Sequence, residues 1–326
     1  MRALVQDHYG SPDVLRVEDI PVPAAGAGEV LVRVHAASVN ARDWHLMRGE
    51  PRLARLAGSD FGRTGPRSRV RGTDFAGIVE AVGPGLTAWR PGDEVYGESA
   101  GAFAEYVAAP AEVVAAKPAS LTFEEAAAMP LAANTALVCL REGGLKAGQA
   151  VLINGASGGV GTFAVQLAKS WDARVTAVCS DRNADLVRSL GADVVVDYGR
   201  EDFAKSARRY DLVLDLVGNR SLCDLRHVLT PGGCIVLSGG GVSGEGRIIG
   251  PMSLLIRGQL LARLTRLRLI VPEAEPSARN LGELSALVGS GSLTPVVDRV
   301  FPLKDAAEAV RYMEVEHARA KVVITV

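Results

Sequence analysis

Val151-Leu152-Ile153-Asn154-Gly155-Ala156-Ser157-Gly158-Gly159-Val160-Gly161 decides how this chain is read. An apolar strand runs into a glycine-dense turn, and Phe163, Val165, Gln166, Leu167 and Ala168 continue it as an apolar helix pattern. Glycines without Cβ atoms let the backbone turn tightly. Phosphate oxygens can then approach the unpaired N–H groups of the helix start, where the dipole favours negative charge. The stretch predicts a pyrophosphate seat formed by Ala156, Ser157, Gly158, Gly159, Val160 and Gly161, and so a dinucleotide-dependent enzyme. Ala156 stands at the first glycine position of the strict pattern, so the turn taken alone also fits a helix packed closely on a sheet.

The flanking sequence favours the nucleotide reading. Arg174 to Cys179 is apolar and β-branched, Asn183 to Leu190 has helical spacing, and Asp193 to Asp197 is a valine run. Asp211 to Leu216 and Gly233 to Ser238 read as further strands. Strands alternating with helices predict an α/β fold with a doubly wound parallel sheet, which binds ligands at the carboxyl ends of its strands. The glycine turn lies at such an end.

With 326 residues the chain is long enough for two domains, and 48% hydrophobic content fits a globular α/β protein. A formal net charge of -1 gives no electrostatic reason to expect nucleic acid or a membrane surface as partner. Arg2, Gln6, Asp7 and His8 interrupt the start too soon for a secretory apolar core, so a cytoplasmic location is expected. Cys139, Cys179, Cys223 and Cys234 are widely spaced, with no His or Cys neighbours at metal-ligand intervals, which predicts neither a disulfide nor zinc.

Organisation changes along the chain. Up to about Pro118 short β-type runs (Val30 to Val34, Ala76 to Val82, Glu94 to Tyr96, Ala104 to Val107) alternate with Pro-Gly turns, which reads as a β-rich domain over 1–118. Thr122-Phe123-Glu124-Glu125 has capping-box form and predicts one helix to about Leu140, opening a second domain over 119–271. A helix is also read in Leu254 to Val271, where arginines interrupt an apolar run. The remainder, 272–326, predicts helices near Ala278 to Val288 and Asp305 to Met313 and a last strand, Lys321 to Val326, that returns to the first domain.

Several blocks now stand in order: Ser38-Val39-Asn40-Ala41-Arg42-Asp43, Gly72-Thr73-Asp74-Phe75-Ala76-Gly77, Gly92-Asp93-Glu94-Val95-Tyr96-Gly97, Gly101-Ala102-Phe103-Ala104-Glu105-Tyr106, the glycine turn and Gly232-Gly233. Together they resemble the medium-chain dehydrogenase/reductase superfamily, in its zinc-free quinone-oxidoreductase-like and enone (enoyl) reductase branch. The resemblance implies a GroES-like catalytic domain built from both chain ends, a central Rossmann domain, a cleft between them and a homodimer. Where zinc-dependent relatives carry a cysteine and a His-Glu pair, this chain has Asn40 and Thr73-Asp74, which supply neither thiolate nor imidazole. The resemblance therefore implies zinc-independent reduction of an activated acceptor rather than alcohol oxidation.

In NAD-binding relatives an acid at the end of the second strand holds the ribose hydroxyls. Here Val178-Cys179-Ser180 is followed by Asp181 and Arg182, so Ser180 and Arg182 suit a 2′-phosphate, with Tyr198 as a further contact. NADPH is expected and NADH less so; Ser180 also fits a helix cap, and Asp181 could serve NAD. By resemblance Thr135, Val217 and Gly239 lie near the nicotinamide end. Hydride transfer to a quinone or to the C=C of an enone or enoyl substrate builds charge on a carbonyl oxygen, and Asn40, Asp43, Trp44 and His45 occupy the place where the branch puts polar groups. His45 stands where some relatives have a tyrosine and is a candidate proton donor. Other readings are a carbonyl or alcohol dehydrogenase, a trans-acting enoyl reductase of a biosynthetic pathway, and a non-catalytic NADPH-binding protein. Arg52 to Arg71 holds six arginines against one acid and reads as a solvated loop near the cleft mouth, or as an attractor of acidic substrates.

Overall fold

Strand-forming runs cut by Gly and Pro open the chain as β1 (Arg2–Val5), β2 (Arg16–Asp19), β3 (Glu29–Val39), helix α1 (Ala41–Arg48), β4 (Asp74–Val82), β5 (Glu94–Glu98), β6 (Tyr106–Pro110) and β7 (Val114–Ala116). The structure, a computed structural model, describes residues 1–50, 52, 55, 61–239, 267–316 and 318–326. Two helices, α2 (Phe123–Ala127) and α3 (Pro130–Gly143), stand where the sequence predicts one. The capping box is present: the Thr122 hydroxyl accepts from Glu125 N at 3.2 Å and Thr122 N donates to the Glu125 carboxylate at 2.9 Å. Pro130 then ends the single-helix expectation, because proline has no N–H to donate and pushes the preceding residue out of helical geometry.

Alternation follows through β8 (Ala150–Asn154), α4 (Gly159–Ser170), β9 (Arg174–Cys179), α5 (Ala184–Ser189), β10 (Val194–Asp197), β11 (Tyr210–Asp215), α6 (Leu222–His227), β12 (Leu229–Leu237) and β13 (Arg268–Ile270). These strands pair in parallel in the order β10-β9-β8-β11-β12-β13. That is the doubly wound order, with its switch point between β8 and β11. The helix expected over 254–271 is corrected at its end, where residues 268–270 form β13; residues up to 266 lie outside those described. The chain closes with α7 (Ala278–Gly289), β14 (Val297–Pro302), α8 (Ala306–Val315) and β15 (Lys321–Thr325).

Two compact units result: Met1–Asn134 with Glu275–Val326, and Thr135–Ala274. Residues 119–134, read from sequence as part of the second domain, belong to the first unit because α2 packs on β3 and β4 and Leu131 N donates to Asp74 at 3.1 Å. In the first unit a sheet runs β14-β15-β3-β4-β5-β7, with β6 also on β3. The last strand lies antiparallel to β3, from Val322 opposite Val39 to Thr325 opposite Ala36. Phe75 and Phe103, fully buried with Met47 and Ile324, anchor this unit's core. Each such phenylalanine contributes about 1.5–3 kcal/mol through burial. Leu152, Phe203, Val213 and Ile235 anchor the second. All four cysteines carry free thiols; Cys139, Cys179 and Cys234 are buried, and burial pushes the first two up to about 11. Among the described residues no helix is long and apolar enough to cross a membrane.

Candidate functional site

The glycine turn sits at the switch point. Gly155 N and Ala156 N both donate to Val178 O, at 3.2 and 3.1 Å, which ties the turn to β9. The left-handed backbone falls on Gly155, with φ of 88°, and a side chain there would also strike Val217 Cγ2 at 2.9 Å. Ala156 is therefore compatible with the turn: it is fully buried and lies outside the left-handed region. At Gly161 a Cβ would lie 2.2 Å from Gly155 O, so only glycine lets α4 start this close to the turn. Gly158 is different, since its nearest neighbour would be 3.4 Å away. It caps α4 without a side-chain hydrogen bond, leaving the first-turn N–H groups of Gly159, Val160 and Gly161 with no side-chain acceptor at the cap. The residues present fit a dinucleotide phosphate.

Asn183, which the sequence reading passed over, joins the turn to the end of β9. Its Nδ2 donates to Ser157 Oγ at 3.0 Å and to Ser180 Oγ at 3.3 Å, and the residue is 5% exposed. Ser180 precedes a single 3-10 turn, Asp181–Asn183, that contains Arg182. Asp181 is drawn toward Arg200, at 3.7 Å. Tyr198 N donates to Cys179 O at 3.2 Å, and Tyr198 is 59% exposed beside that strand end. Val217 N and Gly218 N donate to Asp215 Oδ1, which also accepts from Asn154 Nδ2 at 2.9 Å. Gly239 has φ of 106°, and a Cβ there would meet Leu216 O at 2.9 Å. Val217 and Gly239 thus shape the strand ends around the turn, and Thr135 opens the second unit on the half-buried side of α3.

The first unit holds a buried polar cluster. Ser38, Asp74 and Glu98 lie side by side across β3, β4 and β5. Asp74 Oδ2 accepts from Ser38 Oγ at 3.0 Å and Asn40 Nδ2 at 2.9 Å, while its Oδ1 takes Leu131 N from the first turn of α3. Lys321, at the start of β15, donates to Asn40 Oδ1, to Val39 O at 3.3 Å and to Asp74 Oδ2 at 3.5 Å. Asn40 Nδ2 has only long second contacts, 3.4 Å each, to Ser38 O and Thr73 Oγ1. Asp43 Oδ2 accepts Asn40 N at 2.8 Å, its Oδ1 has no partner, and burial raises its carboxyl to about 6 against the pull of Arg71. Burial and the neighbouring Asp74 push Glu98 up to about 8, with Arg42 Nη1 3.4 Å away.

Of the four residues nominated here from sequence, the structure gathers Asn40 and Asp43. Trp44 packs in the hydrophobic core, and its Nε1 has no acceptor. His45 turns to the end of α1, where Nδ1 meets Glu50 O at 3.2 Å; burial lowers its pKa. Asp74, Glu98, Arg71 and Lys321 went unnominated. Their signal is a charged residue embedded in apolar strand, as in Thr73-Asp74-Phe75-Ala76 and Lys321-Val322-Val323-Ile324. In the arginine-rich segment, Arg55 donates to Gly49 O at 2.7 Å and stacks over Tyr9, while Arg69 stays exposed and pairs with Asp7 and Glu18 on the surface. Residues 51, 53, 54 and 56–60 lie outside those described. Among the described residues no group of three or more His, Cys, Asp or Glu is set to hold a metal ion.

Comparison with known proteins gives a consistent picture. Residues 26–119 match the alcohol dehydrogenase GroES-like domain and residues 190–324 the zinc-binding dehydrogenase family. The mitochondrial NAD(P)H oxidoreductase RTN4IP1 of Bos taurus is 33% identical over 100% of this chain and 89% of its own. The chloroplastic NADPH-dependent alkenal/one oxidoreductase of Arabidopsis thaliana is 33% identical over 99% of this chain and 79% of its own. Among solved structures, the quinone oxidoreductase from Coxiella burnetii superposes with a TM-score of 0.87 at 30% identity, covering 100% of this chain and 99% of the other.

Proposed function

This chain belongs to the medium-chain dehydrogenase/reductase superfamily, among its quinone- and enone-oxidoreductase members, and is an NAD(P)H-dependent oxidoreductase; we propose that it uses NADPH, without zinc, to reduce quinones or the activated C=C of enone and enoyl substrates. One observation carries the cofactor assignment. The turn that offers uncapped helix N–H groups is joined through Asn183 to Ser180, a neutral hydroxyl, where a carboxylate would hold an unphosphorylated ribose. Asp181, the next residue along the chain, pairs with Arg200 at 3.7 Å, and Arg182 adds positive charge at the same turn. The relative from Arabidopsis is NADPH-dependent by name.

When bound, the cofactor supplies the hydride. The chain must then stabilise the charge that builds on the acceptor's carbonyl oxygen, and preorganised donors do this best. We assign that work to the first unit's polar cluster, where the second hydrogen of Asn40 Nδ2 is held only by 3.4 Å contacts and is left for the acceptor. Zinc-independence is supported by the donor set: both oxygens of Asp74 are taken up by hydrogen bonds from Leu131, Ser38, Asn40 and Lys321, and Asn40 and Thr73 are poor zinc ligands.

Titration with both reduced nucleotides tests the first part. NADPH is expected to bind at least about tenfold more tightly than NADH, a difference of about 1.4 kcal/mol; tighter NADH binding would overturn the assignment. NADPH oxidation screened across quinones, enones, enoyl thioesters and simple carbonyls, with and without a chelator, tests the second. Turnover confined to simple carbonyls, activity lost to the chelator, or tight NADPH binding with no turnover would each defeat the proposal.

A further inference from the structure

The proton-bearing nitrogen of Lys321 lies deep in the first unit, with the residue only 2% exposed. An isolated buried ammonium is costly, so its partners define what it does. Burial lowers the Lys321 pKa, while Asp74 and Asp43 beside it favour the charged form; as an ammonium it is donor-only, Asp74 when ionised is acceptor-only, and the Asn40 amide lies between them with one end of each kind. Only Oδ1 can serve Lys321 and only Nδ2 can serve Asp74, so the two opposite charges leave the amide one way round. Neither neighbour can be exchanged for a neutral apolar group without freeing that orientation. Lys321 also sets a positive charge one amide away from the donor assigned to the acceptor's oxygen, where charge develops during reduction.

We infer that Lys321 is a positioning residue for the reduction, orienting the Asn40 amide against Asp74 and holding a positive charge behind it. This rests on the reductase reading above. No covalent step is involved: Lys321 neither gives up its proton nor bonds to the acceptor, and it acts through Asn40.

Two variants test it: Lys321→Met and the double variant Lys321→Met with Asp74→Asn. Lys321→Met is expected to lower kcat on the order of 10- to 100-fold, the usual consequence of a misplaced active-site group, while NADPH affinity stays within about twofold because the seat lies in the other unit. Lys321→Met leaves Asp74 as a buried carboxylate without its cation; the double variant removes both charges and is expected to regain thermal stability yet keep the low kcat. If the double variant regains kcat together with stability, the pair is structural only and the inference falls. It falls equally if Lys321→Met turns over at the wild-type rate. Should Lys321→Met alone fail to fold, the double variant carries the comparison. Absence of turnover in the wild type itself signals failure of the reductase reading, whereas an active wild type with an equally active Lys321→Met signals failure of this inference alone.

Discussion

Ala156 and Gly155 show how far one residue position matters. The strict glycine pattern counts Ala156 as a departure, yet the backbone needs glycine one residue earlier, where φ is 88°. Gly158 and Gly161 also separate, although they look alike in sequence. A Cβ at Gly161 would lie 2.2 Å from a carbonyl oxygen, so Gly161→Ala is expected to cost about 1–3 kcal/mol in urea unfolding. Gly158→Ala meets nothing closer than 3.4 Å and should stay within about 1 kcal/mol of wild type while weakening NADPH about tenfold, because its methyl group enters the space assigned to phosphate. Equal stability loss in the two would contradict this distinction. The catalytic-side residues were less legible. Successive helix residues turn by about 100°, so Asp43, Trp44 and His45 reach a polar cluster, a hydrophobic core and a backbone carbonyl respectively. Sequence adjacency could not tell them apart. Lys321 is distant in sequence from Asn40, and only strand register brings the two together.

Periodicity made most elements of the second unit readable, since buried parallel strands are short apolar runs bounded by turns. Elements whose ends are set by tertiary contacts were harder. Pro130 splits a segment whose composition is helical throughout, and β13 is a strand at the end of an apolar run with helical spacing. Neighbouring strands also create a property that no single strand has: Asp74 and Glu98 face each other in register across β4 and β5, both buried. Like charges directly opposite are unfavourable, and burial with Asp74 pushes Glu98 from 4.5 to about 8. Because the folded protein holds this proton more tightly than the unfolded chain, the stabilisation is complete below about pH 4.5 and is lost as pH rises through about 8. Glu98→Gln cannot ionise. Its Tm relative to wild type is therefore expected to climb between about pH 5 and about pH 8.5 in scanning calorimetry, and a pH-independent difference would rule out titration of Glu98 as the cause.

At the scale of the molecule, the parallel sheet and the β-rich unit were both legible, because collinear motifs constrain a fold more than any one of them. The boundary at 134 was not, since α2 has helical composition like the second unit but packs on the strands of the first. One unit is contiguous in sequence and the other is interrupted by it. A protein ended at Ala274 should therefore yield, on limited proteolysis, a resistant fragment spanning much of 135–274 that still binds NADPH, while residues 1–134 are digested; protection of 1–134 would show that the returning segment is dispensable. The reason is β3, whose residues 36–38 have β4 on one side and β15 on the other. On the ribosome this imposes an order. The unit over 135–274 emerges whole while the unit that carries Asn40 and Asp74 still waits for β15, with part of β3 offering an open edge to chaperones or neighbouring nascent chains. A chain stopped before β15 would then lack Lys321 as well as the strand, so the buried carboxylate of Asp74 would be made well before the cation that meets it.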